Sequence, residues 1–123
     1  MKKEISVMVL DDEPQVGERL QPVLEKEGFR VEVFTDSQKA LQRLEEKEFQ
    51  VVVTDLKMSG PSGLDVLRFL KDHWPQTEAI VITGYATIER AREAEFLNAR
   101  FVTKPFKLKD IVKLVDKVSQ KFK

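Results

Sequence analysis

The 123-residue chain contains no cysteine and only one histidine, His73. Without thiols, disulfide scaffolds, thiolate metal sites and cysteine nucleophiles are excluded. One imidazole cannot form a histidine-rich metal site, and a Ser-His-Asp triad would have to use that single residue. A metal site in this protein would therefore hold a hard ion through oxygen ligands.

The sequence also lacks net charge, because 21 lysines and arginines balance 21 aspartates and glutamates. This balance argues against a domain whose main task is to bind nucleic acid or an anionic membrane. No apolar run approaches the roughly 20 residues of a membrane span, and the polar residues 1–4 are followed by no signal-peptide core. The length suits one domain, so we expect a single cytoplasmic domain that contacts neither nucleic acid nor membrane directly.

Five short apolar segments alternate with segments of helical periodicity. Three of the apolar segments are apolar at every position, which is typical of strands buried on both faces of a parallel sheet. The predicted strands are centred on residues 7–10, 31–34, 51–53, 80–82 and 101–102. A helical pattern follows each strand, so the sequence predicts an α/β fold with helices on both faces of the sheet.

Local signals mark the ends of two of the predicted helices. Ser62 and Asp65 form a capping-box pattern at the start of the third helix. Thr87 is expected to cap a fourth helix over residues 88–97, and Asn98 is expected to end it in the left-handed conformation.

Polar residues stand at the carboxyl ends of four predicted strands, where ligands bind in folds of this kind. Asp11 and Asp12 follow the first strand, and Asp55 follows the third. Thr83 ends the fourth strand and Lys104 follows the fifth. Three carboxylates brought together would repel each other unless a cation lay among them. Among hard ions, Mg²⁺ suits carboxylates combined with phosphate oxygens best.

A carboxylate beside Mg²⁺, with a hydroxyl and an ammonium opposite, suits phosphoryl transfer. Asp55 is the natural covalent acceptor because it is central. Asp11 and Asp12 would hold the metal ion. Thr83 would donate a hydrogen bond to a phosphoryl oxygen, and Lys104 would pair with the charge of the group. Each residue alone has a commoner role in a turn, a cap or a loop, so the prediction depends on their joint occurrence.

The sequence resembles the receiver domain of two-component response regulators over essentially its whole length, residues 1–123. The matching positions, in order and spacing, are Asp11, Asp12, Asp55, Thr83, Lys104 and Pro105. The resemblance implies a flavodoxin-like (βα)5 three-layer sandwich with a five-stranded parallel sheet of order 2-1-3-4-5. Segments 82–87 and 102–106 further resemble receivers of nitrogen-regulation-type transcription activators.

The resemblance also implies how the site residues act. Asp55 accepts the phosphoryl group. The carboxylates of Asp12 and Asp55 and the backbone carbonyl of Lys57 hold Mg²⁺, and Asp11 acts largely through water. The bond between Lys104 and Pro105 is expected to be cis.

A switch mechanism follows from the same resemblance. A sensor histidine kinase donates the phosphoryl group, Thr83 and Lys104 are drawn towards it, and Phe101 on the fifth strand turns inward. The change is relayed through the surface of the fourth helix, fifth strand and fifth helix to an output domain or partner protein. A phosphorylation-dependent homodimer is a further candidate partner. The domain would be no enzyme beyond self-catalysed phosphotransfer and autodephosphorylation.

The residues alone leave three other functions open. A flavin- or nucleotide-binding module would need glycines or hydroxyls after the first strand, where the acidic residues 11–13 stand. A haloacid-dehalogenase-type phosphatase would need a second acid two residues after Asp55, where Lys57 stands. A phosphorylation-independent interaction module is disfavoured because all the chemical positions are filled. Whether the chain is free-standing or part of a longer regulator also stays open.

Overall fold

The computed structural model describes residues 4–58, 60–84 and 98–123. In these ranges, one sheet contains five parallel strands in the order β2-β1-β3-β4-β5. The strands are β1 (Ser6–Leu10), β2 (Arg30–Phe34), β3 (Val51–Asp55), β4 (Glu78–Thr83) and β5 (Arg100–Thr103). The helices are α1 (Pro14–Lys26), α2 (Ser37–Glu46), α3 (Gly63–His73) and α4 (Leu108–Ser119), and the 3-10 turn Gln120–Phe122 follows α4. The predicted flavodoxin-like fold and strand order are confirmed.

The sheet separates two apolar cores, because adjacent residues of a strand face opposite sides. On one side, α1 and α4 pack against strand residues that include Val9 and Val53. On the other side, α2 and α3 pack against residues that include Met8 and Val52. Every residue of β1 and β3 is buried, as the continuously apolar runs predict. These two layers of helices hold the carboxyl ends of the central strands in place.

The predicted capping box at the start of the third helix is confirmed. Asp65 N donates to Ser62 Oγ at 3.3 Å, and Ser62 N donates to Asp65 Oδ2 at 2.8 Å, which completes the capping box of α3. Asn98 has φ 60°, the expected left-handed conformation. The predicted helix over residues 88–97, with its cap at Thr87, lies outside the described residues. No helix in the described part of the chain is long and apolar enough to span a membrane.

The start of α3 lies directly against the end of β3. Gly63 N donates to the carbonyl oxygen of Leu56 at 3.1 Å. A Cβ atom on Gly63 would overlap the carbonyl oxygen of Asp55 and lie 2.9 Å from its carbonyl carbon. Glycine is required here because of this close approach, which packs the N-terminus of α3 against the backbone of Asp55.

Replacement of Gly63 by alanine should therefore destabilise the fold. Because the added methyl group meets backbone atoms, Gly63→Ala is expected to lower the free energy of unfolding by about 1–3 kcal/mol, as overpacking typically does. Urea unfolding followed by circular dichroism measures this change. Asp72→Ala, on the exposed face of α3, is the control and should stay within about 0.5 kcal/mol of wild type. Equal stability of the two variants would contradict this interpretation of the contact.

Candidate functional site

The sheet places the predicted site residues at one edge. Asp11 directly follows β1, and its N–H donates to the Phe34 carbonyl at 3.1 Å, which extends the pairing with β2 by one residue. Lys104 follows β5, and its N–H donates to the Thr83 carbonyl at 2.7 Å. Asp55 is the last residue of β3. Backbone pairing therefore sets where these side chains start.

Three carboxylates meet at this edge. Oxygen atoms of Asp11, Asp12 and Asp55 lie within 4.8 Å of one another. Asp11 and Asp55 are buried, whereas Asp12 is exposed. Asp11 Oδ1 accepts a hydrogen bond from Glu13 N at 2.9 Å, and Asp55 Oδ1 accepts one from Lys57 N at 3.2 Å. The backbone thus orients both buried acids and leaves their second oxygens directed towards other partners.

The ammonium group of Lys104 lies among the acids. Its Nζ is 2.9 Å from Asp11 Oδ2, 2.9 Å from Asp55 Oδ2 and 3.1 Å from Glu13 Oε1. The sequence brings Lys104 to the site, but it assigns no role to Glu13. The contact between Lys104 and Glu13 joins residues that are 91 positions apart in the chain. The only signal for it in the sequence is that Glu13 directly follows the two acids Asp11 and Asp12.

Burial and charge shift the pKa values in this cluster. Burial raises the pKa of Asp11 above its ordinary value, and the hydrogen bond from Glu13 N and the nearby ammonium group of Lys104 only partly offset this effect. Burial alone would lower the pKa of Lys104, but its hydrogen bonds to the carboxylates outweigh burial and the pKa is raised. Lys104 is therefore a cation at neutral pH, while the charged form of Asp11 is disfavoured.

The oxygen donors of the site fit a divalent cation. Asp11 Oδ2 is buried and faces Lys104 as an ion pair, but it accepts no hydrogen bond of good geometry from the described residues. A second cation beside such an oxygen would stabilise its charge. The donor set of Asp11, Asp12 and Asp55 contains only carboxylates, which hard ions prefer. The acidic cluster is thus a candidate metal centre.

Three further predicted residues lie on or directly after the strands β4 and β5. Thr83 is buried at the end of β4, with Thr103 of β5 as its partner in the sheet. Phe101 pairs with Val81 and is partly buried against the core on the α2 and α3 side. The bond between Lys104 and Pro105 is cis. The structure therefore brings the predicted acids, Thr83 and Lys104 to one edge of the sheet and places Phe101 two residues before the end of β5. The switch roles of Thr83 and Phe101 stay predictions.

A parallel sheet of order 2-1-3-4-5 with acidic residues at the carboxyl ends of its strands is typical of one class of protein, and comparison with known families identifies that class. The family model of the response regulator receiver domain matches residues 7–116. The chain belongs to this family, whose function is phosphoacceptance in two-component signalling. Members of this family are signalling domains and not classical enzymes. The match thus favours the receiver interpretation over a nucleotide-binding module or a phosphatase.

Individual proteins and solved structures show which members of the family this chain resembles. The chain is 32% identical over 119 residues to a response regulator described as NtrX-like from Rickettsia bellii (strain RML369-C), covering 94% of this chain and 25% of that protein. It is 27% identical over 113 residues to the receiver protein CpdR of Brucella abortus (strain 2308), covering 91% of this chain and 94% of CpdR. The beryllofluoride-activated NtrC4 receiver domain dimer superimposes with a TM-score of 0.87 at 28% identity over 96% of this chain and 98% of that one.

These relatives differ in length. The chain spans about a quarter of the length of the NtrX-like regulators that it matches. The similarity to NtrX-like and NtrC4 proteins agrees with the predicted likeness to nitrogen-regulation-type regulators. Some response regulators of this family, such as FixJ and ZraR, combine a receiver domain with an output domain.

The raised pKa of Asp11 predicts that its charge weakens the metal-free fold. Asp11→Asn removes a buried charge without changing the shape of the side chain, so it should raise the unfolding midpoint in EDTA at pH 7. A buried acid with a raised pKa costs stability when ionised, and this cost disappears as the pH falls and Asp11 becomes protonated. The advantage of the variant should therefore shrink with falling pH.

Thermal unfolding of Asp11→Asn and Asp12→Asn across pH 4 to 8 measures this effect. Asp12 is exposed, so its variant serves as the control and should change the midpoint little. A lower midpoint for Asp11→Asn than for wild type at pH 7 would show that the ion pair with Lys104 outweighs burial.

Proposed function

We propose that this chain is a phosphoacceptor switch domain over residues 1–123 and that Asp55 receives the phosphoryl group. The observation that carries the proposal is the position of Asp55 at the end of the central strand. Its Oδ1 accepts a hydrogen bond from Lys57 N, and its Oδ2 accepts one from Lys104 Nζ at 2.9 Å. One carboxylate is thus oriented by the backbone and faces a cation at the site where phosphoryl charge would arrive.

The proposed donor is the phosphohistidine of a sensor histidine kinase. A carboxylate oxygen of Asp55 attacks the phosphorus atom, the phosphorus–nitrogen bond breaks, and the imidazole leaves while an acyl phosphate forms on Asp55. Hydrolysis of the acyl phosphate by water, with release of inorganic phosphate, would return the carboxylate. Phosphotransfer and this autodephosphorylation are the only reactions proposed for the domain.

The proposed cofactor is Mg²⁺, held by the carboxylates of Asp12 and Asp55 and the backbone carbonyl of Lys57, with Asp11 acting largely through water. When bound, it would neutralise charge on the transferring group. Lys104 supplies a second positive charge beside Asp55, and the raised pKa of its ammonium keeps it protonated. Thr83 would donate a hydrogen bond from its hydroxyl group to a phosphoryl oxygen.

The proposed output is a change of packing near β5. The new charge on Asp55 draws Thr83 and Lys104 towards it, and Phe101 turns inward from its partly buried position. The surface formed by the predicted helix over residues 88–97, β5 and α4 would pass this change to an output domain or partner protein. A homodimer formed on phosphorylation is proposed by analogy with the NtrC4 receiver dimer. The cytoplasm is the proposed location.

Phosphorylation of Asp55 can be tested without the kinase. Incubation of wild type with acetyl phosphate and Mg²⁺ should give one phosphoryl adduct in intact mass spectrometry, because the site itself supplies the acceptor and the charges. Asp55→Asn should give none. Asp72→Asn, which removes an exposed acid from α3, should behave as wild type. No adduct on wild type, or an equal adduct on Asp55→Asn, would refute the assignment.

Binding of Mg²⁺ should stabilise the folded protein, because the unfolded chain has no preformed cluster of acids. At a metal concentration ten times the dissociation constant, the gain is about 1.4 kcal/mol, or a few degrees in the thermal midpoint. Differential scanning calorimetry with MgCl₂ or EDTA measures the shift. Asp12→Asn should lose most of it, and Asp72→Asn should keep it. An equal shift in all three proteins would exclude the acidic cluster as the metal site.

A further inference from the structure

Glu13 is an acid at the site for which the phosphoacceptor function has no use. It precedes the first residue of α1, at the position that often caps a helix, but its side chain makes no cap hydrogen bond within the described chain. Instead Oε1 accepts a hydrogen bond from Lys104 Nζ at 3.1 Å, and Oε2 accepts one from Gln15 Nε2 at 3.1 Å. The carboxylate is thus oriented by Gln15 and directed towards the ammonium group.

The ammonium of Lys104 has three N–H groups and faces three carboxylates. Two of the contacts, to Asp11 and Asp55, are to side chains that are 2% and 9% exposed. The Glu13 side chain is 53% exposed. Lys104 Nζ donates hydrogen bonds to Asp55 Oδ2 and Glu13 Oε1 and forms an ion pair with Asp11 Oδ2. A phosphoryl oxygen that arrives at Asp55 competes with these acids for the ammonium group. Glu13 is the acid that water can solvate most easily after release, so it is the contact that costs least to break.

We propose that Glu13 is a positioning residue that holds one N–H of Lys104 in the unphosphorylated protein and competes with the phosphoryl group for it. The inference rests on the proposed function, because it concerns how Lys104 reaches the group on Asp55. Phosphorylation breaks the contact between Glu13 and Lys104, which joins the start of α1 to the segment after β5. Glu13 thereby lowers the affinity of the unphosphorylated site for phosphoryl-like groups.

Beryllofluoride, a stand-in for the phosphoryl group, tests this competition in the whole chain. Titration with beryllofluoride and Mg²⁺, followed by amide NMR, gives the apparent affinity of each variant. Glu13→Gln keeps the size of the side chain but removes its charge, and it should bind about two- to five-fold more tightly than wild type, the effect of one exposed ion pair. Glu18→Gln removes an exposed acid of α1 that has no place at the site, and it should bind as wild type.

Three further measurements show whether Glu13 acts through Lys104. In a Lys104→Gln background, Glu13→Gln should cause no additional change in affinity, because the ammonium group for which Glu13 competes is absent. Before any beryllofluoride is added, the Nζ resonance of Lys104 should shift in Glu13→Gln and stay unchanged in Glu18→Gln. At about 1 M salt, where the Debye length is about 3 Å, the difference between Glu13→Gln and wild type should largely disappear.

The outcomes separate this inference from the proposed function. If wild type binds no beryllofluoride, the phosphoacceptor assignment and the inference fail together. If wild type binds it but Glu13→Gln and Glu18→Gln have equal affinities, the role of Glu13 is refuted and the phosphoacceptor assignment stands. If the effect of Glu13→Gln persists in the Lys104→Gln background, Glu13 acts as a general repulsive charge, and the positioning role is likewise refuted.

Discussion

The ion cluster of Lys104 with Asp11 and Asp55 is the interaction on which the site depends. Two buried carboxylates at adjacent strand ends would repel each other, and the ammonium 2.9 Å from each offsets that repulsion. The apolar cores on both faces of the sheet supply the stability that allows charges to be held there. A cluster of this kind responds to any added charge, which is what a phosphorylation switch requires.

Backbone packing fixes the position of Asp55, the proposed acceptor in this cluster. Asp55 ends a fully buried strand, and α3 approaches its carbonyl so closely that only glycine fits at position 63. Lys104 is placed by its hydrogen bond to Thr83 across β4 and β5. The acceptor side chain is therefore already ordered before phosphorylation. The interactions of the incoming phosphoryl group would rearrange partners such as Glu13 and would not be needed to order Asp55.

Much of this structure could be predicted from the sequence, because its signals are local or periodic. Continuously apolar runs predict buried parallel strands, the Ser62 and Asp65 pattern predicts the capping box, and strand ends predict where polar residues meet. The contact of Glu13 with Lys104 and the approach of Gly63 to Asp55 could not be predicted in this way. Both depend on side-chain directions or helix placement between segments that only the folded chain brings together.

The most direct test of the central claim, that Asp55 and Lys104 form a phosphoryl site, is a crystal structure of the chain with Mg²⁺ and beryllofluoride. The account predicts beryllofluoride bonded to Asp55, with Lys104 Nζ within about 3 Å of a fluorine atom. Thr83 Oγ1 should lie within the same distance, and Lys104 should no longer contact Glu13. Beryllofluoride bound elsewhere, or a Lys104 that remains on the three carboxylates without touching it, would contradict the account.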